Sequence, residues 1–267
     1  MFRDMTIGQY YPADSVIHRL DPRTKIMFTL VYIGVLFLAK DPWLYLSAGL
    51  VLAGYIYLSK VPLKFIGKGL KSLGMIILFT VGIQLFTVGG AETLVEWQFI
   101  RITKNGVISA VYLGLRLIFM IIGSSMMTYT TTPNALTDGL EKMLGGLKKL
   151  NVPVHEFAMI MSIALRFVPI LVEELDKIMK AQMARGIDFQ EGNIFVRIKK
   201  LLPIIVPLFV SAVRRSNELA LAMDARCYHG GEGRTKMKPL HYRQADHVAY
   251  ILMAVYVLAM IMMIVFV

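Results

Sequence analysis

Residues Glu173 to Gly186 read EELDKIMKAQMARG, a charged island between oily segments. Glu173 with Lys177 and Asp176 with Lys180 are acid-before-base pairs at i,i+4. Leu171, Leu175, Ile178 and Met179 repeat at helical spacing, so the stretch predicts an amphipathic helix. Arg185 falls in its last turn, where the helix dipole favours a cation, and Gly186 can take the left-handed conformation that ends a helix. A second stretch, Asn217 to Cys227 (NELALAMDARC), closes in the same way, with Arg226 standing 41 residues after Arg185 and Cys227 in the place of Gly186. An Arg in a last helical turn is often there for dipole and solvation alone, so the meaning of the two ends depends on the rest of the chain.

The chain has 267 residues, 56% of them hydrophobic, and a mean hydropathy of +0.60, which sets it among integral membrane proteins. Its formal charge of +11 is divided between long apolar runs and does not form one basic patch with aromatic platforms. That pattern fits membrane orientation and not nucleic-acid binding. The single cysteine, Cys227, excludes an internal disulfide, and no Asn-x-Ser/Thr acceptor is present. The first two dozen residues are broken by Arg3, Asp4, Asp14, His18, Arg19, Asp21, Arg23 and Lys25, so no cleaved signal peptide is expected.

Five apolar runs follow: Ile26–Ala39, Trp43–Ser59, Ser72–Ala91, Gly106–Tyr129 and Val248–Val267. The first has 14 residues and is short for a hydrocarbon core of about 30 Å. Lys60, Lys64, Lys68 and Lys71 predict a separate short helix whose basic face lies on anionic headgroups. Glu92 to Asn105 reads as an outward-facing loop, and Arg116, alone within the fourth run, is expected to pair inside the bundle. Between residues 130 and 230 the pattern changes. An amphipathic segment ends near Leu150, a long element runs from Val154 to Arg185 through Arg166 and Pro169, and another runs from Ile194 to Arg226. The apolar middle of the last, Leu201–Val213, is too short to span and carries Pro203 and Pro207, which predict a kink.

The expected fold is therefore an all-α integral membrane protein with about five transmembrane helices and long amphipathic cytoplasmic helices. Residues 1–129 carry four spans, 130–230 the cytoplasmic helices, and 231–267 a linker and the last span. A rival arrangement inserts Phe157–Val172 and Leu201–Val213 as a hairpin and gives seven spans. Residues 1–25 and 60–71 hold 4 Lys or Arg each, and residues 130–244 hold 17. Only Lys40, Arg101 and Lys104 fall opposite, which predicts a cytoplasmic N-terminus.

Catalytic signals fail on inspection. His155-Glu156 opens like a zinc-binding H-E-x-x-H helix, but position 159 is Met, and no phosphate-binding G-x-x-x-x-G-K-[ST] loop exists. His18, His229, His241 and His247 lie in polar connections and read as solvated side chains. The 18 Met residues suit pliable packing more than metal traffic. No catalytic residue, cofactor or metal site is assigned. A membrane-embedded enzyme or a self-sufficient secondary transporter is the competing class, and it would need intramembrane acids or a metal cluster, whereas the five runs contain no Asp and no His.

Three stretches carry a family likeness: His18-Arg19-Leu20-Asp21-Pro22-Arg23-Thr24-Lys25 before the first span, Ala164-Leu165-Arg166-Phe167-Val168-Pro169, and Ala181-Gln182-Met183-Ala184-Arg185-Gly186. Over nearly its whole length the chain resembles the T component of energy-coupling factor (ECF) vitamin transporters. The resemblance implies a non-catalytic scaffold in the bacterial cell membrane. It would join a small substrate-capturing membrane protein to two cytoplasmic ATP-binding-cassette ATPases, which hydrolyse the ATP. It also implies that two X-Arg-X motifs at helix ends dock the ATPases. By position these are Ala184-Arg185-Gly186 and Ala225-Arg226-Cys227, the second departing from the usual final Gly.

Overall fold

The structure, a computed structural model, describes residues 10–39, 41–89, 93–97, 100–150, 152–189, 193–230, 237 and 239–266. Among these the elements in chain order are α1 (Pro22–Leu38), α2 (Pro42–Ser59), α3 (Leu63–Thr87), β1 (Thr93–Trp97), β2 (Ile100–Thr103), α4 (Lys104–Thr130), α5 (Pro133–Leu144), a 3-10 turn (Gly145–Leu150), α6 (Val154–Ala184), α7 (Ile194–Asp224) and α8 (Gln244–Phe266). Among the described residues two compact units form, one within Gly8–Gly139 together with Leu240–Val267, the other within Leu140–Pro239.

The first unit has the character of an all-α membrane protein. Four of its helices, α2, α3, α4 and α8, are long and apolar enough to cross a bilayer. The fifth expected span is α1, which has 17 residues and so reaches about 25 Å, less than a hydrocarbon core. α1 is also the packed centre of the unit, in contact with α2, α4 and α8. Its Tyr32 and Leu36 are fully buried, Tyr32 donates to the Ala48 carbonyl at 3.2 Å, and its ring lies where a Cβ on Gly123 would stand 3.0 Å away. That close approach of α1 and α4 requires glycine at 123.

Two further expectations change. The lysine segment and the third span are one continuous helix, α3, because no proline lies between Leu63 and Thr87 and nothing between Lys64 and Ser72 ends a helix. The segment read as a loop between Glu92 and Asn105 contains an antiparallel hairpin, with Thr93 opposite Thr103 and Trp97 opposite Ile100. The Thr103 hydroxyl accepts from the Gly106 amide at 3.1 Å, capping α4, and donates to the Val88 carbonyl at 2.9 Å, so one side chain closes the start of α4 and the end of α3.

Arg116 on α4 is paired inside the bundle, as its isolation requires. Its Nε donates to the Tyr45 hydroxyl at 3.1 Å, and a terminal nitrogen donates to the Ala39 carbonyl at 2.8 Å. Ala39 caps α1, and its carbonyl is one of those a helix end leaves without an internal donor. The charge thus satisfies a group that lipid could not.

The stretch His18–Lys25 is consumed in a second buried network. Asp21 caps α1 by accepting from the Arg23 amide at 2.9 Å, and Pro22 occupies the first helical position, where its missing N–H is harmless. Asp246, fully buried in the first turn of α8, accepts from the Asp21 amide at 2.8 Å, the Thr24 hydroxyl at 3.0 Å and the Arg243 amide at 2.8 Å. The Arg23 guanidinium bonds Asp21 through two nitrogens and stacks 3.8 Å from the Tyr242 ring centre. Burial alone would raise the Asp21 carboxyl, but the Arg23 side chain and amide outweigh it and hold it below its ordinary value. Lys25 donates to the Thr130 carbonyl at 2.8 Å and the His18 carbonyl at 3.3 Å, and burial brings its ammonium down to about 8 against the opposing pull of Asp246 and Asp21. His18 is not a freely solvated side chain. Its ring bonds the Ser15 hydroxyl at 2.7 Å and the Tyr11 carbonyl at 3.0 Å, and burial first, then the Lys25 charge, lower its pKa against the Tyr11 bond.

Candidate docking site at two helix ends

The second unit is dominated by α6 and α7, each 31 residues and therefore about 46 Å long. They pack antiparallel, since Gln182 near the end of α6 meets Pro203 early in α7 while Glu174 meets Arg215 further along. Both helices run unbroken through their prolines, Pro169 in α6 and Pro203 and Pro207 in α7. Large apolar side chains along the pair stay exposed, among them Phe157, Ile160, Phe195, Ile205 and Phe209. A surface of this kind is incomplete in water.

The two triplets end these helices with the same backbone geometry. At the end of α6 the Gly186 amide donates to the Met183 carbonyl at 2.9 Å and the Ile187 amide to the Gln182 carbonyl at 3.1 Å, with Gly186 at φ +88°. At the end of α7 the Cys227 amide donates to the Asp224 carbonyl at 2.9 Å and the Tyr228 amide to the Met223 carbonyl at 3.1 Å, with Cys227 at φ +56°. Both are Schellman closures, with Arg185 and Arg226 as the last residues before the left-handed position. The missing glycine at 227 therefore leaves the cap intact.

All six residues, Ala184, Arg185, Gly186, Ala225, Arg226 and Cys227, are exposed. Neither arginine side chain makes a hydrogen bond or ion pair among the described residues. The two triplets are not brought together. Arg226 lies 23 residues beyond Pro203, which faces the end of α6, so the two cations stand roughly 35 Å apart along the pair. Beside the first is an open cleft of about 420 Å³, lined by Gly186, Ile187 and Asp188 on one side and Val196, Lys199, Lys200 and Pro203 on the other.

His155, which opens the failed zinc pattern, bonds Glu141 at 2.9 Å. Among the described residues no three His, Cys, Asp or Glu side chains converge as metal ligands. Sequence reasoning missed Gln182, the buried polar residue where α6 meets α7. Pro207 was the signal that could have found it, because a proline four residues after Pro203 strips that residue's carbonyl of its helical donor.

An apolar helical bundle carrying, in the same chain, two long helices that end in exposed, rigidly capped cations defines a polytopic membrane protein. A family model described as CbiQ, cobalt transport protein, matches residues 13–237. The energy-coupling factor transporter transmembrane protein EcfT of Acidaminococcus fermentans is 49% identical over 259 residues, covering 97% of this chain and 96% of the relative. The proteins of that name from Clostridium kluyveri and Bacillus subtilis are 48% and 43% identical, each covering at least 92% of both chains. The chain belongs to this family of transporter membrane components.

Proposed function

We propose that the chain is the non-catalytic scaffold of an ECF-type vitamin or micronutrient importer in the bacterial cell membrane, with its N-terminus in the cytoplasm. Two partner ATPases supply the energy, and the scaffold passes their movement to a small substrate-capturing membrane protein. The observation that carries the reading is the pair of exposed arginines on Schellman-capped ends of one antiparallel helix pair, about 35 Å apart. Each can enter a groove of a separate ATPase. A guanidinium suits that role because it stays charged when desolvated and can grip a carboxylate with two parallel bonds. The stiffness of two packed helices turns a change in ATPase spacing into motion of the membrane partner. The exposed apolar flank of α6 and α7 supplies a surface for that partner.

The competing class, an enzyme or a carrier working alone, gains nothing from the spans. The acid in them, Asp246, is fully committed to three donors. Purification separates the two readings. The wild-type chain should bring two ATPases and a small membrane protein with it, and Arg185→Glu with Arg226→Glu should release the ATPases and abolish uptake. Losing one partner of a desolvated charge pair typically costs about 2–5 kcal/mol, and charge reversal adds repulsion. A double variant that still holds both ATPases through purification would overturn the docking assignment.

A further inference from the structure

Among the buried groups that docking does not use, Gln182 stands apart because its two ends serve different helices. Its side-chain Nε2 donates to the Pro203 carbonyl at 3.3 Å, and its backbone carbonyl accepts from the Arg185 and Ile187 amides at 3.1 Å each. The Pro203 carbonyl needs that donor. In a helix it would accept from the amide of residue 207, and residue 207 is a proline without an N–H. Pro207 therefore leaves the Pro203 carbonyl open, and α6 presents an amide to it three residues before Arg185. Gln182 is buried, so water does not replace the bond easily.

Such a bond fixes register. Side chains that interdigitate on an apolar helix pair can slide to the next groove, but proline opens only two carbonyls of α7, that of Lys199 through Pro203 and that of Pro203 through Pro207, and Gln182 is bonded to the second. Because Arg185 is tied to Gln182 by the cap and Arg226 is 23 residues from Pro203 along a single helix, the register of the pair sets the distance between the two cations.

We propose that Gln182 is a positioning residue, pinned to the carbonyl that Pro207 leaves open, and that this pin sets the spacing of Arg185 and Arg226. The spacing matters for docking only on the reading of function given above, so the test separates the two. Spin labels on native Cys227 and on Met183→Cys, both exposed, report the spacing in the full chain in lipid nanodiscs without ATPases. The unsubstituted pair should give one narrow distance. Gln182→Met keeps length and removes the donor, and should broaden or split the distribution. Adding Pro207→Ala, which returns an N–H to α7, should restore a narrow one. In the assembled transporter Gln182→Met should weaken ATPase retention about tenfold, the size expected for one abandoned buried carbonyl, and the loss should shrink to about twofold in the Pro207→Ala background.

A narrow distance in Gln182→Met, or an equal effect of Gln182→Met with and without Pro207→Ala, would overturn the pin. So would a Pro207→Ala chain that fails to fold, since alanine there supplies the missing bond. A Gln182→Met chain that folds only together with Pro207→Ala would support it. A broadened distance with unchanged ATPase retention would leave the pin standing and sink the docking role of the arginines.

Discussion

The chain uses the same charged groups in opposite ways in two places. In the network around Asp246 every charge is committed within the fold: Asp246 to three donors, Arg23 to Asp21 and the Tyr242 ring, Lys25 to two carbonyls. At the ends of α6 and α7 the backbone is closed by Schellman bonds while the arginine side chains have no partner among the described residues. A charge whose bonds are all made internally holds elements together, here the starts of α1 and α8 and the end of α4. A charge kept free on a rigid cap is available to another protein. Two of the three stretches that carry the family resemblance, His18–Lys25 and Ala181–Gly186, thus stand in opposite settings.

The sharpest way to break that comparison is to remove one charge from each region. Asp246→Ala abandons three donors, two of them buried, and should cost about 3 kcal/mol, seen as a lowered denaturation midpoint in detergent micelles. Arg185→Ala and Arg226→Ala should each stay within about 0.5 kcal/mol of the parent in the same assay. Equal destabilisation in the two regions would mean that the arginine tips are structural and the contrast false.

A smaller effect sharpens it through pH. The buried Lys25 ammonium titrates near 8, below the ordinary lysine value. Below pH 8 Lys25 is charged in both folded and unfolded chains, so the burial penalty is present in full. Between pH 8 and about 10.5 the folded chain has released a proton that the unfolded chain still binds, so stability from this group rises with pH. The melting temperature of the parent should gain on Lys25→Met across that window. Parallel profiles would show that Lys25 is freely hydrated and the network open.

The tips were legible in the sequence because a helix ending is a local event: an i,i+4 pattern, an arginine, then a residue that can turn left-handed. The Asp246 network was not, since Asp21 and Asp246 stand 225 residues apart and only the meeting of α1 with α8 joins them. The lysine row was read correctly as helical but cut from its span, because charge content was taken for a boundary where the backbone has none. The hairpin could have been found. Thr93, Val95 and Trp97 alternate with Leu94 and Glu96 in residues that favour strands, a signal overshadowed by the charges beside it. Pro207 marks an open carbonyl in the sequence, but choosing Gln182 as its donor needed the register of two helices that are each legible alone but whose pairing is not.

The smallest effect concerns the one place where the two tips differ. Gly186 adopts its left-handed turn freely, whereas Cys227 holds φ +56° with a Cβ, a conformation that costs an ordinary L-residue about 1–2 kcal/mol. Glycine would remove that strain but add backbone entropy to the unfolded chain, returning about 0.5–1 kcal/mol. Cys227→Gly should therefore stabilise the end of α7 by about 0.5–1 kcal/mol, slowing exchange of the Tyr228 amide, which closes the cap on Met223, by roughly two- to fivefold. The converse change, Gly186→Cys, should speed exchange of the Ile187 amide by more, because φ +88° lies further from the left-handed well that side chains tolerate. If Cys227→Gly instead speeds exchange at Tyr228, the thiol is holding the second cap by its own contacts, and the two tips are alike in backbone only.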